Sequence, residues 1–408
     1  MAKRPKKQKS ATKSPSPATK SPSPATKSPA SKSPVSKSSA SKSSAGALSE
    51  SVGKLRQRID RLDAEILEKS NRRAALTIDL ASLLSDGADA EKQVELDRVI
   101  ETAADSAVTS NRGPLDDTSV RALFRELVSG CRAQLRTCKV AFLGPSHSYS
   151  YLAAIDRFGQ SAEFVPVGTI AAVFAEVDQG NADYGVVPLE NSTDGRIADT
   201  LDMFTRVRVR ISGEVPLRIH HQLIGKSSRA DIRSVCSKPQ ALSQCRNWIA
   251  QHLPQAEMVE TSSTAAAAKM AAENKSVAAV ASRQAAVNFG LNLIARNIED
   301  NPRNVTRFAV IGQQSAERTG DDKASFLFQL PHQPGALADA MGIFRRGRLN
   351  LTWIESFPKP GARNEYLFFV ELQGHEKDLR VRRALAALEK KTERLELLGS
   401  YPRCEPTD

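Results

Sequence analysis

The spacing of hydrophobic positions changes twice along the chain. From about Ala47 it is helical: Leu55, Ile59, Leu62 and Ile66 recur in steps of three and four on one face, and Leu76, Leu80 and Leu83 continue it. The run breaks at "SDGADA". A second helix is expected from about Glu91 to Ala104, "SNRGPLDD" is a loop, and a third helix from Thr118 to Leu135 carries Val120, Leu123, Phe124, Leu127 and Val128. Helices this thin cannot close a core alone, so pairing with a second copy of the chain is expected.

At Lys139 the period shortens. "KVAFLG", "DYGVVPLEN", "LRIHHQLIG", "RSVCS", "SVAAVAS" and "RFAVIG" read as strands, separated by helical stretches such as "PQALSQCRNWIAQHL" and "TAAAAKMAAE". That alternation predicts an α/β fold with largely parallel sheets and a ligand site at the carboxyl ends of strands. Beyond the polar linker "GQQSAERTGDD" the order is strand, helix, strand, strand, helix, strand, from "ASFLFQL" to "LELLGSY". This βαββαβ order is that of a ferredoxin-like α+β unit. The expected domains are residues 1–46, 47–136, 138–312 and 325–402.

Charge changes the picture only at one end. The chain of 408 residues carries a formal +12, but residues 1–46 hold eleven Lys and Arg and no Asp or Glu, which leaves the rest at +1. That segment repeats "ATKSPSP" and "SKSP", with no aromatic residue and almost no large aliphatic one. It cannot bury enough surface to offset the entropy of ordering, so a disordered tail is expected. Its repeats resemble the basic tails of linker histones, which would give weak, salt-sensitive binding to DNA or another polyanion. A solubilising spacer is the plainer reading, and a cleaved transit peptide fits poorly because only one Arg is present. No run of 18 apolar residues exists for a membrane span, and no apolar segment follows the basic start as in a secretory signal. Five cysteines without CxxC spacing fit reduced thiols in the cytoplasm. The histidines form no HExxH or HxxxH motif, and of the His220–His221 pair one is expected to pack and one to point out of its strand. No metal site is expected.

Three polar loops follow predicted strands: "FLGPSHSYS", "GVVPLENSTDG" and the turn into "NVTRFAVIG". Hydroxyls, an amide and a carboxylate at such positions suit helix capping, and equally an anionic ligand held by backbone N–H groups. In order, "GPSHSYS", "DYGVVPLENSTDG", "KPQALSQC" and "NVTRF" resemble the prephenate dehydratase family over about 139–312. Two positions depart from the family pattern: His147 stands where Gly is usual, and Lys238 where His is usual.

The resemblance implies a two-lobed, periplasmic-binding-protein-like domain. Such a domain converts prephenate to phenylpyruvate, CO2 and water with no cofactor and no metal. Hydroxide is a poor leaving group, so a proton donor is needed at that oxygen. The family assigns that role to Thr306. It also implies Phe308, Glu190, Asn191 and Ser192 as catalytic, and Gly144, Ser148, Ser150, Thr193, Gln240 and Arg307 as substrate contacts. Thr306 and Phe308 share a strand face, so Phe308 is placed to pack on the substrate ring while Arg307 faces the other way.

Residues 325–402 resemble the ACT regulatory domain, which implies phenylalanine as effector near Gly335, Ala336, Leu337, Glu355 and Ser356 between paired domains. The usual "ESRP" is "ESFP" here, and Phe357 lacks the guanidinium hydrogen bonds. Residues 47–136 resemble an all-helical chorismate mutase domain through "LRQRIDRLDAEIL" and "FRELVSGCRAQL". Arg56 and Arg73 match its carboxylate-binding arginines and Asp89 an acidic partner. Lys92 replaces an arginine, Gln93 a glutamate, Leu135 a Gln or Glu, and Leu84 the lysine that contacts the ether oxygen. Weak or absent mutase activity is therefore expected, with the helices serving dimerisation. An arogenate dehydratase and a non-catalytic amino-acid sensor are the rival readings. Thr306, Glu190, Asn191 and Ser192 together favour an enzyme.

Overall fold

A computed structural model describes residues 40–85, 103–104, 106–359 and 365–407, with side chains in the first helix from residue 51 to residue 83. Asp89, Lys92, Gln93, most of the expected second helix and the side chain of Leu84 lie outside the described residues, as does most of the basic tail. Helix α1 spans Ala40–Ser85, so residues 40–46, expected in the disordered tail, are helical. Contacts divide the chain into Met1–Ile66 and Leu67–Asp408. In the first unit the seam residues Leu55, Ile59, Leu62 and Ile66 are all 55–56 % exposed.

In the second unit, helix α2 (Asp117–Leu135) starts at Asp116, whose carboxylate accepts from the Ser119 amide. It is fastened to the following domain by an Arg125–Asp156 ion pair of 2.7 Å and by Ser129, which accepts from the Ser161 amide. Between α2 and the later turns of α1 lies a groove of about 530 Å³ lined by residues such as Ala74, Ile78, Leu127 and Gln134.

The middle domain has two lobes. The first is a sheet of β1 (Lys139–Leu143), β2 (Glu163–Val167), β3 (Tyr184–Asn191), β5 (Arg210–Arg218) and β11 (Val305–Gly312), ordered β2-β1-β3-β11-β5, with the short β4 (Gly195–Arg196) beside β3. Helix α3 (Tyr149–Phe158) covers one face, and α4 (Ile170–Asp178) with α5 (Ala198–Arg206) the other. The second lobe orders β10 (Asn292–Ala295), β6 (Gln222–Gly225), β9 (Val277–Ala281), β7 (Ser234–Ser237) and β8 (Glu257–Glu260). Between its strands run α6 (Pro239–Gln244), α7 (Arg246–His252), α8 (Thr264–Glu273) and α9 (Arg283–Asn288).

Both sheets are mixed rather than largely parallel. The chain leaves the first lobe at residues 219–221 and re-enters at 296–304, so β11 returns antiparallel to both β3 and β5. This crossing also splits the expected strand "LRIHHQLIG". His220 and His221 lie between β5 and β6, not within a strand, and His221 is 2 % exposed.

The last unit is ferredoxin-like: β12 (Asp322–Gln329), α10 (Ala336–Gly347), β13 (Leu351–Pro358), β14 (Tyr366–Gln373), α11 (Leu379–Glu389) and β15 (Arg394–Pro402), with sheet order β13-β14-β12-β15. One sheet face packs on its own helices through Phe326, Phe328, Ile343 and Phe344. The other packs on the first lobe, where Leu327, Phe357, Phe369 and Tyr401 share a core with Phe174, Leu201 and Phe204. The approach is close enough to require glycine: a Cβ on Gly399 (φ +151°) would lie 2.2 Å from the Ile211 carbonyl oxygen.

Candidate functional site

Strands β3 and β11 bring the site together. Their antiparallel register sets Thr306 opposite Asn191 and Arg307 opposite Glu190, and it shifts immediately after Arg307. Asn191 is buried, and its Nδ2 donates to Thr306 Oγ1 at 2.8 Å. The threonine oxygen thus has an acceptor position filled, while its own proton is free to be aimed elsewhere. Asn191 Oδ1 accepts from the amides of Thr193 and Asp194, at 2.9 and 3.0 Å, so the side chain is fixed at both ends. Ser192 stitches the two strands. Its amide donates to the Val305 carbonyl at 2.8 Å, and its Oγ accepts from the Val305 amide at 2.9 Å.

A hydrogen-bond chain runs on into the second lobe. Thr193 Oγ1 donates to Asn304 Oδ1 at 3.2 Å, and Asn304 Nδ2 donates to Gln244 Oε1 at 3.0 Å. Gln244 Nε2 donates to Asp194 Oδ2 at 3.1 Å, a direct link between the lobes. The Gln244 oxygen also lies 3.0 Å from His221 Nε2, so this nitrogen carries the proton. His221 Nδ1 faces the Tyr149 hydroxyl at 3.3 Å, and that hydroxyl donates to the His220 carbonyl at 2.8 Å. Burial pushes the His221 pKa down, so the imidazole is neutral, and burial pushes the Tyr149 hydroxyl pKa well up, so it stays protonated. Glu299 clamps the crossover: its carboxylate is 2.7 Å from His220 Nδ1 and accepts from the His221 amide at 2.9 Å.

The expected residues do not all meet here. Thr306, Asn191, Ser192 and Thr193 do. Glu190 and Arg307 stand on the opposite face of the same strands, because side chains alternate along a strand, and they correct the catalytic and substrate-contact roles expected of them. Arg307 lies in a buried cage, bonded to Glu190 at 3.0 Å, Glu214 at 3.3 Å and Glu371 of β14, with Trp353 4.9 Å from its guanidinium. Burial works against its charge, yet the Glu371 and Glu214 carboxylates hold its pKa above the ordinary value. Phe308 is 2 % exposed and packs among Phe142, Ala153, Val215 and Ile219, so it supports the strand from the core instead of stacking on a substrate.

Ser148 is the cap of α3. Its Oγ accepts from the Tyr151 amide and donates to the Leu143 carbonyl, and Ser150 is buried beneath. Gly144 closes β1, its amide donating to the Val167 carbonyl at 2.9 Å. His147 has φ +68°, the left-handed region, which explains why glycine is usual there. Its ring meets Tyr151 edge-on at 5.3 Å. Gln240 is exposed at the start of α6, and one turn later Gln244 enters the network in its place.

Sequence reasoning missed Gln244, Asp194, Asn304, Tyr149 and His221. All but His221 lie inside the quoted motifs, and the signal for them was convergence between motifs, which no single segment reveals. Among the described residues no His, Cys, Asp or Glu cluster has metal-holding geometry.

In the last unit, Gly335 (φ +86°) precedes α10, with Ala336 and Leu337 in its first turn. Glu355 and Ser356 lie on β13, where Arg196 Nη1 donates to Glu355 Oε2 and to the Ser356 carbonyl, each at 2.9 Å. Phe357 is buried against the first lobe. On α1, Arg73 is half-buried and its Nη1 has no hydrogen-bond partner among the described residues, while Arg56 is exposed.

Known proteins match along almost the whole chain. The family model described as prephenate dehydratase matches residues 140–316, and that of chorismate mutase type II matches residues 55–135. The bifunctional chorismate mutase/prephenate dehydratase of Aquifex aeolicus is 40 % identical over 359 residues, 87 % of this chain and 98 % of the relative. The crystal structure of a prephenate dehydratase from Arthrobacter aurescens in complex with L-Phe is 35 % identical with a TM-score of 0.61, covering 65 % of this chain and 90 % of that one. A solved structure of a quorum-quenching acylase is 32 % identical with a TM-score of 0.60, covering 65 % of this chain and 98 % of that one. With near-complete coverage of a bifunctional relative and both domain models in the same order, this chain belongs to the bifunctional chorismate mutase/prephenate dehydratase family.

Proposed function

We infer that the chain converts prephenate to phenylpyruvate, CO2 and water. The observation that carries this is the convergence of the four motif segments, through Tyr149, Asn191, Gln244 and Thr306, on one hydrogen-bonded site between two lobes. As the ring carboxylate leaves as CO2, its bonding electron pair enters the ring and expels hydroxide, which gains a proton to become water. Thr306 aims its O–H at that departing oxygen, and Asn191 holds the hydroxyl from its acceptor side. A bare threonine is a weak acid, so its contribution is a hydrogen bond to charge as it develops in a cleft shielded from water. Arogenate differs only in bearing an amino group in place of the keto group, and it remains a second substrate to be compared.

The ferredoxin-like unit is read as an ACT domain that binds phenylalanine near Gly335–Leu337 and Glu355–Ser356. The L-Phe complex of the Arthrobacter aurescens relative supports this. The exposed seam of α1 supports pairing of two chains. Arg73 Nη1, which has no hydrogen-bond partner among the described residues, suits the carboxylate of a dianion such as chorismate. The leucine at position 84 in place of a lysine still points to slow rearrangement. A cytoplasmic enzyme with a basic tail that contacts polyanions weakly completes the reading.

One panel tests it: purified full-length protein with chorismate, prephenate or arogenate, each with and without phenylalanine. Phenylpyruvate from prephenate, suppressed by phenylalanine, with little chorismate consumed, is the expected result. No turnover of prephenate or arogenate would leave only the sensor reading.

A further inference from the structure

We propose that Arg196 is the positioning residue through which an amino acid bound at Glu355–Ser356 controls the Asn191–Thr306 pair. The proposal rests on the reading of the last unit as a phenylalanine site. Arg196 belongs to β4, in register with Glu190, and its neighbour Gly195 is in register with Asn191. Its guanidinium leaves the first lobe and holds both the Glu355 carboxylate and the Ser356 carbonyl on β13. The turn behind it has little slack. Asn191 Oδ1 accepts from two successive amides, and Asp194, two residues from Arg196, makes the cross-lobe bond to Gln244. A displacement of Arg196 therefore reaches the proton donor's partner and the link between the lobes within one turn.

The chemistry of an amino-acid effector supplies the displacement. Its ammonium group competes for the Glu355 carboxylate, the anion that Arg196 now holds. Arg196 is 36 % and Glu355 27 % exposed, so the pair is open to such an exchange. The Arg307 cage also joins the first lobe to the last unit, but Glu371 is 1 % exposed and shared with Lys323, Thr352 and Tyr401, so it acts as a fixed anchor. To the extent that phenylalanine weakens prephenate binding, linkage makes the coupling reciprocal, and substrate binding weakens phenylalanine binding by the same factor.

The test uses the full chain with Arg196→Ala and Arg196→Lys, measuring prephenate turnover, phenylalanine inhibition and phenylalanine binding by titration calorimetry. An exposed ion pair adds little to stability, so both variants fold. Arg196→Ala, in which the tether is already broken, is expected to bind phenylalanine but to start from the lowered turnover that phenylalanine produces in the wild type. Saturating phenylalanine then lowers it further by less than about twofold, against about tenfold or more in the wild type, within the usual range of allosteric coupling. Arg196→Lys, which retains a cation, recovers part of the inhibition. Wild-type inhibition matched by an equally inhibited Arg196→Ala overturns this proposal alone. A wild-type protein that binds no phenylalanine overturns the effector reading and the proposal with it.

Discussion

Thr306 and Arg307 are adjacent, yet they serve opposite faces of one strand. Thr306 is held by Asn191 at the site, and Arg307 is sunk in carboxylates on the far side. The period of two makes that division readable from the sequence, but it leaves open which of the two faces the polar neighbours of Arg307 share. Glu190 follows Arg307 because it is the residue opposite it in register, a relation between strands 117 positions apart that a single sequence does not display. His221 is a second case. Its sequence context suggests a strand, whereas it sits in the crossover, neutral, with Nε2 bonded to Gln244 and Nδ1 facing the Tyr149 hydroxyl. Its folded pKa lies below the ordinary value, whereas in the unfolded chain it protonates near about 6.5. The unfolded state therefore takes up the proton first. The stability contribution of a neutral His221 is complete above that pH and is lost as pH falls toward the folded pKa, with a slope of at most about 1.4 kcal/mol per pH unit. Urea midpoints measured from pH 7.5 to 5 should fall for the wild type, and the fall should be smaller in His221→Gln, which keeps a donor toward Gln244 without titrating. Parallel curves would place the acid sensitivity elsewhere.

Among the elements, α1 follows from hydrophobic spacing because its apolar residues repeat on one face, and β11 from its short apolar run into Gly312, which is buried on both faces. The leucine and isoleucine seam of α1 is the pattern of a packed helix: an apolar face, exposed among the described residues, that suits a packing partner. A second copy of the chain would supply that partner. Leu62→Lys would put one cation per chain into the shared seam, twice over in a symmetric pair, at a cost of several kcal/mol. Light scattering should then report a mass shifted to that of one chain while prephenate turnover persists. A wild-type protein already of one-chain mass, or a variant that stays paired, would show that the seam is covered in another way. The mixed sheets were the element-level surprise. Alternating strands and helices argue for parallel pairing only if the chain stays in one sheet, and here it crosses to a second lobe and back, so β11 arrives reversed.

At the scale of the molecule, the order of helical, two-lobed and ferredoxin-like parts was legible because each has its own period and is set off by polar linkers. What was not legible is how the parts touch. Phe357 reads in sequence as a lost guanidinium within an effector motif, whereas in three dimensions it is core between the last unit and the first lobe, beside Phe204 and Leu201. Gln244, on the second lobe, reaches Asp194 on the first, and the site exists only where those contacts close. The central claim is that this junction places the Thr306 hydroxyl to assist departure of the ring hydroxyl of prephenate. Prephenate turnover by Thr306→Ala, beside the wild type, tests it most directly. With the thermal transition unchanged, kcat should fall by about 10²–10³, the usual loss for one transition-state hydrogen-bond donor. Near-normal turnover in a folded Thr306→Ala protein would contradict the role assigned to that hydroxyl and, with it, the mechanism built on it.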